Sequence, residues 1–188
     1  MKQFFKEIFP VTQTSITDIE EKIEFVDLNK GTVFIEKDKI NKKEYLLFSG
    51  ICKSFLFNAD GDEVTLSFYS GNAVLTPHTI RTQHNKSLLY FKTLTPCRLG
   101  LIDAENFIAL MYTHEDIKNF ANQILKNELM TKLEKEIGLL SLSAADRLKN
   151  FRVKHTNFEN LIPHTDIASY LGITSISISR LRKALIHK

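Results

Sequence analysis

His164-Thr165-Asp166-Ile167-Ala168-Ser169-Tyr170-Leu171-Gly172-Ile173-Thr174-Ser175-Ile176-Ser177-Ile178-Ser179-Arg180-Leu181-Arg182-Lys183 is the stretch of this chain whose reading decides the rest. Two helices cross steeply through a short turn only where small residues let the backbones approach and apolar side chains fill the angle between them. Ala168 and Gly172 are the small residues, and Ile167, Leu171, Ile173, Ile178 and Leu181 supply apolar groups at the inward positions. Gly172 ends the first helix cheaply in a left-handed conformation, and Thr174 or Ser175 can cap the second by accepting from its free amides. The pattern predicts a helix-turn-helix.

With Ile178, Leu181 and Leu185 turned inward at helical spacing, the outward face of the second helix carries Ser175, Ile176, Ser179, Arg180 and Lys183, with Thr174 at its start. Those residues are the expected contacts to bases and phosphates of double-stranded DNA. Charge supports that expectation. Residues 143–188 hold eight Lys or Arg against three Asp or Glu, whereas the remainder is slightly acidic at 17 against 19. Basic charge gathered in the segment that carries the motif is what phosphate neutralisation needs. After Asp166 no acidic residue occurs, so Arg180, Arg182, Lys183 and Lys188 read as unopposed.

The whole chain is 188 residues, 43% hydrophobic and 25% charged, which fits one medium domain plus a small one and argues against disorder. No apolar run is long enough for a signal peptide or a membrane span, so a cytoplasmic protein without membrane attachment is expected. Cys52 and Cys97, 45 residues apart, exclude a disulfide framework and cannot supply the four thiolates of an iron-sulfur cluster.

From about Glu24 to Asp103 short runs of Val, Ile, Phe, Leu and Thr alternate with turn residues, and Asp60-Gly61 supplies a hairpin signal. This predicts a β-sandwich or jelly roll. From Ala104 the period becomes helical: one helix to about Tyr112, then a long one over 115–140. Its apolar positions are Ile117, Phe120, Ala121 and Ile124, then Met130, Leu133, Ile137 and Leu140, the two blocks six residues apart. A broad apolar face needs a partner, and helix-turn-helix modules work in symmetric pairs. Ile117, Phe120, Ile124 and Met130 are therefore the expected homodimer interface, with Gly138 and the small residues after it as a hinge. The expected fold class is α+β, with residues 1–140 as a jelly roll carrying the dimerisation helix and 141–188 as the helix-turn-helix domain, without an evident wing.

Jelly roll, long helix and terminal helix-turn-helix, in that order, resemble the Crp/Fnr family of bacterial transcription regulators. The resemblance runs from about Leu28 to Leu185 and rests on Tyr45-Leu46-Leu47-Phe48-Ser49-Gly50, the Asp60-Gly61 hairpin, Gly71 and, most specifically, Ile167 to Lys183. It implies a homodimeric, sequence-specific regulator with an effector cavity in the jelly roll and RNA polymerase as a further partner. Members that bind cyclic nucleotide carry Gly-Glu after the equivalent of Gly71 and an Arg-Ser or Arg-Thr pair further on. Here the region reads Gly71-Asn72-Ala73-Val74, with Lys86-Ser87 in place of Arg-Ser. The Glu is missing, and an ammonium does not reproduce a bidentate guanidinium grip on phosphate, so cyclic AMP is not the expected effector and no cofactor is expected. If an anionic effector binds, Gly71, Arg81, Lys86 and Ser87 are the candidates.

His78 and His84 have no zinc-type spacing and sit among loop-forming residues, so no metal site is expected. An enzyme on the jelly roll lacks its chemistry, since no His-x-His pair occurs and no Ser, His and acid grouping stands out along the chain, so no catalytic residue is expected. The competing reading is a ligand-binding or protein-interaction module whose terminal helices only pack. Salt-dependent binding to duplex DNA separates the two.

Overall fold

The computed structural model describes residues 1–186, with side chains through residue 184; Leu185 and Lys188 of the reading above lie outside the described side chains. Two helices open the chain, α1 (Lys2–Ile8) and α2 (Gln13–Glu20). The strands β1 (Glu24–Leu28), β2 (Val33–Ile35), β3 (Lys43–Ser49), β4 (Ile51–Phe57), β5 (Glu63–Ser70) and β6 (Ala73–Val74) follow. After a single-turn helix α3 (His78–Arg81) come the ribbon β7 (Thr82–Gln83) and β8 (Lys86–Ser87), then β9 (Tyr90–Thr93) and β10 (Cys97–Asp103). Helices α4 (Ala104–Thr113), α5 (Glu115–Ser141), α6 (Ala144–Lys154), α7 (Phe158–Leu161), α8 (His164–Tyr170) and α9 (Ser175–Ile186) complete the described chain.

The strands form two antiparallel four-stranded sheets, ordered β1-β10-β3-β6 and β2-β9-β4-β5. Their inner faces close on Ile35, Tyr45, Leu47, Cys52, Phe91, Cys97 and Leu99, so both cysteines act as small buried apolar groups. Asn58 organises the β4–β5 hairpin, its side-chain oxygen accepting from the amides of Asp60 and Asp62.

Outside the sandwich a second core joins α1, α2, α4 and the first half of α5 to Leu46 and Ile102 of the sheet. Here Ile117 is 0% and Phe120 1% exposed, Phe120 lying edge-on to Phe5 with ring centres 5.0 Å apart, and Ile124 is half-buried against the same cluster. The expected seam is therefore corrected: Ile117, Phe120 and Ile124 serve the chain's own core, and only Met130 remains substantially open, at 47%. The six-residue step between the blocks is the physical reason. At about 100° per residue it turns the helix by roughly 600°, which leaves Met130 about 120° away from Ile124. Met130 lies instead with Leu129, Leu133, Ile137 and Leu140, all exposed, on the far side of α5.

Gly138 does not break the helix. The interruption comes at extended Leu142, after which Ser143 starts α6 by accepting from the Asp146 amide at 3.2 Å.

Candidate nucleic-acid interface

A third core holds the C-terminal helices together: Leu148 and Phe151 of α6, Phe158 of α7, Ile162, Ile167 and Ala168 of α8, Leu171, and Ile178 of α9, with Ile173 and Leu181 packed against them. Every apolar residue assigned to the angle between the two motif helices is in it. The turn is closed as its residues dictate. Gly172 has φ +65°, its amide donating to the Ser169 carbonyl at 3.1 Å while the Ile173 amide reaches back to Ala168 at 3.0 Å. That pair of bonds satisfies carbonyls the helix end would otherwise leave open. Thr174 then caps α9, its hydroxyl accepting from the Ser177 amide at 3.1 Å.

Thr174, Ser175, Ile176, Ser179, Arg180 and Lys183 are all exposed, with Ile176 at 65%. Neither Arg180 nor Lys183 has a carboxylate partner among the described residues. Arg182 differs from its sequence reading. It pairs with Glu159 at 3.0 Å, beside Arg152 on the same carboxylate at 2.6 Å, and donates to His164 Nδ1. Arg182 thus fastens α9 to α7, while Arg180 and Lys183 stay exposed.

The module is docked on the sandwich through β5. As the outer strand of its sheet, β5 has unpaired backbone groups that must be met elsewhere. The Thr65 amide donates to Ser169 Oγ of α8 at 2.8 Å, Ser169 Oγ donates to the Glu63 carbonyl at 3.1 Å, and Lys135 Nζ of α5 donates to the carbonyls of Thr65 and Leu66. Burial pushes the Lys135 ammonium down to about 8. Beside these bonds Lys53 of β4, 1% exposed, places its ammonium 2.5 Å from Glu63 and 2.7 Å from Asp166 in the first turn of α8. This buried lysine is the counter-charge to a helix that arrives 113 residues later. The first turn of α9 opens on a cleft of about 690 Å³ between the module and the β4–β5 hairpin, walled in part by Asp62 and Glu63.

Of the four effector candidates, Arg81, Lys86 and Ser87 adjoin on α3 and the β7–β8 ribbon, where Thr82 pairs with Ser87 and the Leu88 amide donates to the Arg81 carbonyl at 2.8 Å. Gly71 lies in the turn from β5 to β6, and Lys86 is exposed on the β7–β8 ribbon. Ser87 is buried with its hydroxyl donating to the Leu89 carbonyl at 2.7 Å. Arg81 is 1% exposed and fully engaged: Nε donates to the Thr76 carbonyl at 2.9 Å, Nη1 to Asn41 Oδ1 at 2.7 Å and Nη2 to the Lys43 carbonyl, with the guanidinium over the Tyr45 ring. It staples α3 to β3, and the expectation that it could hold an effector anion is corrected accordingly. Between β5 and α5 the chain's own side chains meet instead. Tyr69 and Thr76 share a hydrogen bond, Thr76 donates to Glu128 at 2.9 Å, and Lys132 bridges Glu128 and Ser67.

One grouping was invisible along the chain. Ser15 Oγ lies 3.1 Å from His114 Nδ1, and His114 Nε2 lies 2.7 Å from Asp18. Residues nearly 100 positions apart give no local signal. The set is closed to a substrate, because Ser15 is 1% exposed and its one proton goes to Asp116 at 2.8 Å. Burial alone would raise the Asp116 carboxyl, but bonds from the Thr12 amide, the Ser15 hydroxyl and the Ile117 amide outweigh it and hold it low. The cluster clips α2 to the start of α5. Among the described residues no group of three or more His, Cys, Asp or Glu side chains could hold a metal ion, and no helix is long and apolar enough to cross a membrane.

No protein-family model matches the chain, and no curated protein matches it. Solved structures do. FixK2 from Bradyrhizobium japonicum, 16% identical, gives a TM-score of 0.77 over 88% of this chain and 85% of that one. The c-di-GMP responsive global regulator CLP from Xanthomonas campestris, also 16% identical, gives 0.74 over 94% and 92%. A transcriptional regulator of the crp/fnr family from Eubacterium rectale, 18% identical, gives 0.74 over 96% and 88%. The chain therefore has the fold of Crp/Fnr-type regulators across nearly its whole length.

Proposed function

We propose that this protein is a sequence-specific DNA-binding regulator that works as a homodimer. The observation that carries the reading is the exposed face of α9, where Ile176, Ser179, Arg180 and Lys183 stand together and the two cations have no carboxylate partner among the described residues. Arg180, one turn beyond Ile176, can donate twice to the O6 and N7 acceptors of guanine, while Ile176 offers an apolar surface to a thymine methyl. Lys183, nearer the phosphates, contributes charge without base information. The duplex is read as approaching the Arg180 side of α9, the exposed face that carries both free cations.

Dimerisation falls to the exposed stripe of Leu129, Met130, Leu133, Ile137 and Leu140, which keeps Met130 of the residues the sequence suggested and leaves out Ile117, Phe120 and Ile124. A soluble monomer gains by covering such a row, and a two-fold pair of α9 helices is what a symmetric operator reads. The sensor is read as one that does not take cyclic AMP, because Arg81 is spent inside the fold and Tyr69, Thr76, Glu128 and Lys132 occupy one another.

The test is selection of binding sites from random duplexes, followed by salt titration. Arg180→Ala is expected to cost about 1–3 kcal/mol on the best half-site and to relax preference at one base position. Lys183→Ala is expected to weaken all sequences alike and flatten the salt slope. Binding without salt dependence, or base preference unchanged in Arg180→Ala, refutes the reading in favour of a protein-interaction module.

A further inference from the structure

Between α4, the first half of α5 and the β3–β6 edge of the sandwich lies a slot of about 100 Å³. Its walls are Phe107, Ile108 and Met111 from α4 and Phe120, Ile124 and Leu125 from α5. Ile108, 39% exposed, and the exposed Thr79 of α3 stand at its open rim. An apolar cavity of about 150 Å³ holds one benzene, so this slot has room for a short alkyl chain and not for a nucleotide.

One charged residue enters the lining, Glu44 of β3. It is only 8% exposed, and among the described residues its two oxygens accept from a single donor, the His78 amide, at 2.9 and 3.1 Å. A carboxylate has about four acceptor positions, and a buried one is costly unless it is paired. The neighbouring cations are committed elsewhere: Lys43 pairs with Asp103 at 3.3 Å, and Arg81 donates to Thr76, Asn41 and Lys43. Burial raises the Glu44 carboxyl, and neither the His78 amide nor the Arg81 charge brings it back to its ordinary value. Apolar walls around one under-used acceptor are the make-up of a small-molecule site.

We propose that this slot binds a short primary alkylammonium, its ammonium on Glu44 and its chain between Phe107, Phe120 and Ile124. The slot meets the β5–α5 polar network at Val74, but Glu44 has no bond to that network. None of its walls belongs to the stripe assigned to the dimer, and none lies on α9. The site stands whether or not α9 reads DNA.

Butylamine is the probe, titrated into the full chain at slightly alkaline pH, where amine and carboxyl are both ionised, and followed by methyl NMR. Butanol and butyrate are the counterparts. Saturable shifts of the Ile108, Met111 and Ile124 methyls are expected, with butylamine about tenfold tighter than butanol, as one charge-assisted hydrogen bond is worth, and with butyrate unbound. Glu44→Gln keeps an acceptor for the His78 amide and should abolish the amine's advantage while leaving butanol binding unchanged. Ile108→Trp, at the rim, should weaken both, and circular dichroism checks that each variant is folded. If Glu44→Gln does not fold, the ranking of the three probes on the wild type decides. Equal affinity for amine and alcohol, shifts spread over exposed carboxylates without saturation, or an amine preference that survives in Glu44→Gln overturns the proposal.

Discussion

Removing the Lys53 ammonium should loosen the C-terminal module from the sandwich before it harms either part. Taking one partner from a buried ion pair costs about 3–5 kcal/mol, chiefly because the other charge stays buried. The two carboxylates differ in what they retain. Glu63, with its side chain 30% exposed, keeps Lys92 at 3.1 Å and can recover water, whereas Asp166, 13% exposed, has no other side-chain partner among the described residues. Most of the cost therefore falls on Asp166 alone, so Lys53→Met is expected to lose about 2–4 kcal/mol. Asp166→Leu in the Lys53→Met background should restore part of it, with a coupling of at least about 1 kcal/mol in a double-mutant cycle by urea unfolding. Hydrogen exchange locates the effect: the Thr65 amide, protected by Ser169 of α8, should open earlier in Lys53→Met while the amides of β10 stay protected. A loss below about 1 kcal/mol, additive with Asp166→Leu, would refute the claim that this ion triad holds α8 to β5.

Gly172→Ala forces a side chain into φ +65° with its Cβ 2.9 Å from Leu139 Cδ2, and should cost about 1–2 kcal/mol by thermal or urea unfolding. Leu133→Glu should yield a folded monomer by sedimentation, while Ile117→Ala should lower unfolding stability by about 2–5 kcal/mol and leave association unchanged. Burial, with a smaller contribution from neighbouring Lys154, pushes the His155 imidazole from 6.5 down to about 4. The unfolded chain then binds the extra proton between those values, so the stability is fully present above about 6.5 and is lost as pH falls toward 4. Allowing for its partial exposure, about 1–2 kcal/mol is at stake. Urea midpoints at neutral and acidic pH should lie closer together in His155→Phe than in the wild type.

What the residues determined unaided is the set of features whose physics is local. Gly172 had to end α8 because only a left-handed residue closes that turn, Thr174 had to cap α9, and the 3.6-residue period fixed which face of α9 turned outward. Alternation and turn residues likewise sufficed for the strands of the sandwich, and the order of the parts for the fold.

Tertiary structure decided everything that depends on which surfaces meet. The period of α5 shows its apolar residues but not what covers them. Only the packing of α1 and α2 reveals that Ile117 and Phe120 are already taken and that the open stripe lies beyond Ile124. Arg81 looked free to bind an anion until Asn41, Lys43 and Thr76 were brought around it, and Arg182 looked unopposed until α7 delivered Glu159. Lys53 with Asp166, and Ser15 with His114, are joined across about 100 residues or more. A side chain's charge is written in the sequence, but its partner is set by the path of the whole backbone, and burial then decides whether that charge is spent inside the fold or left for another molecule.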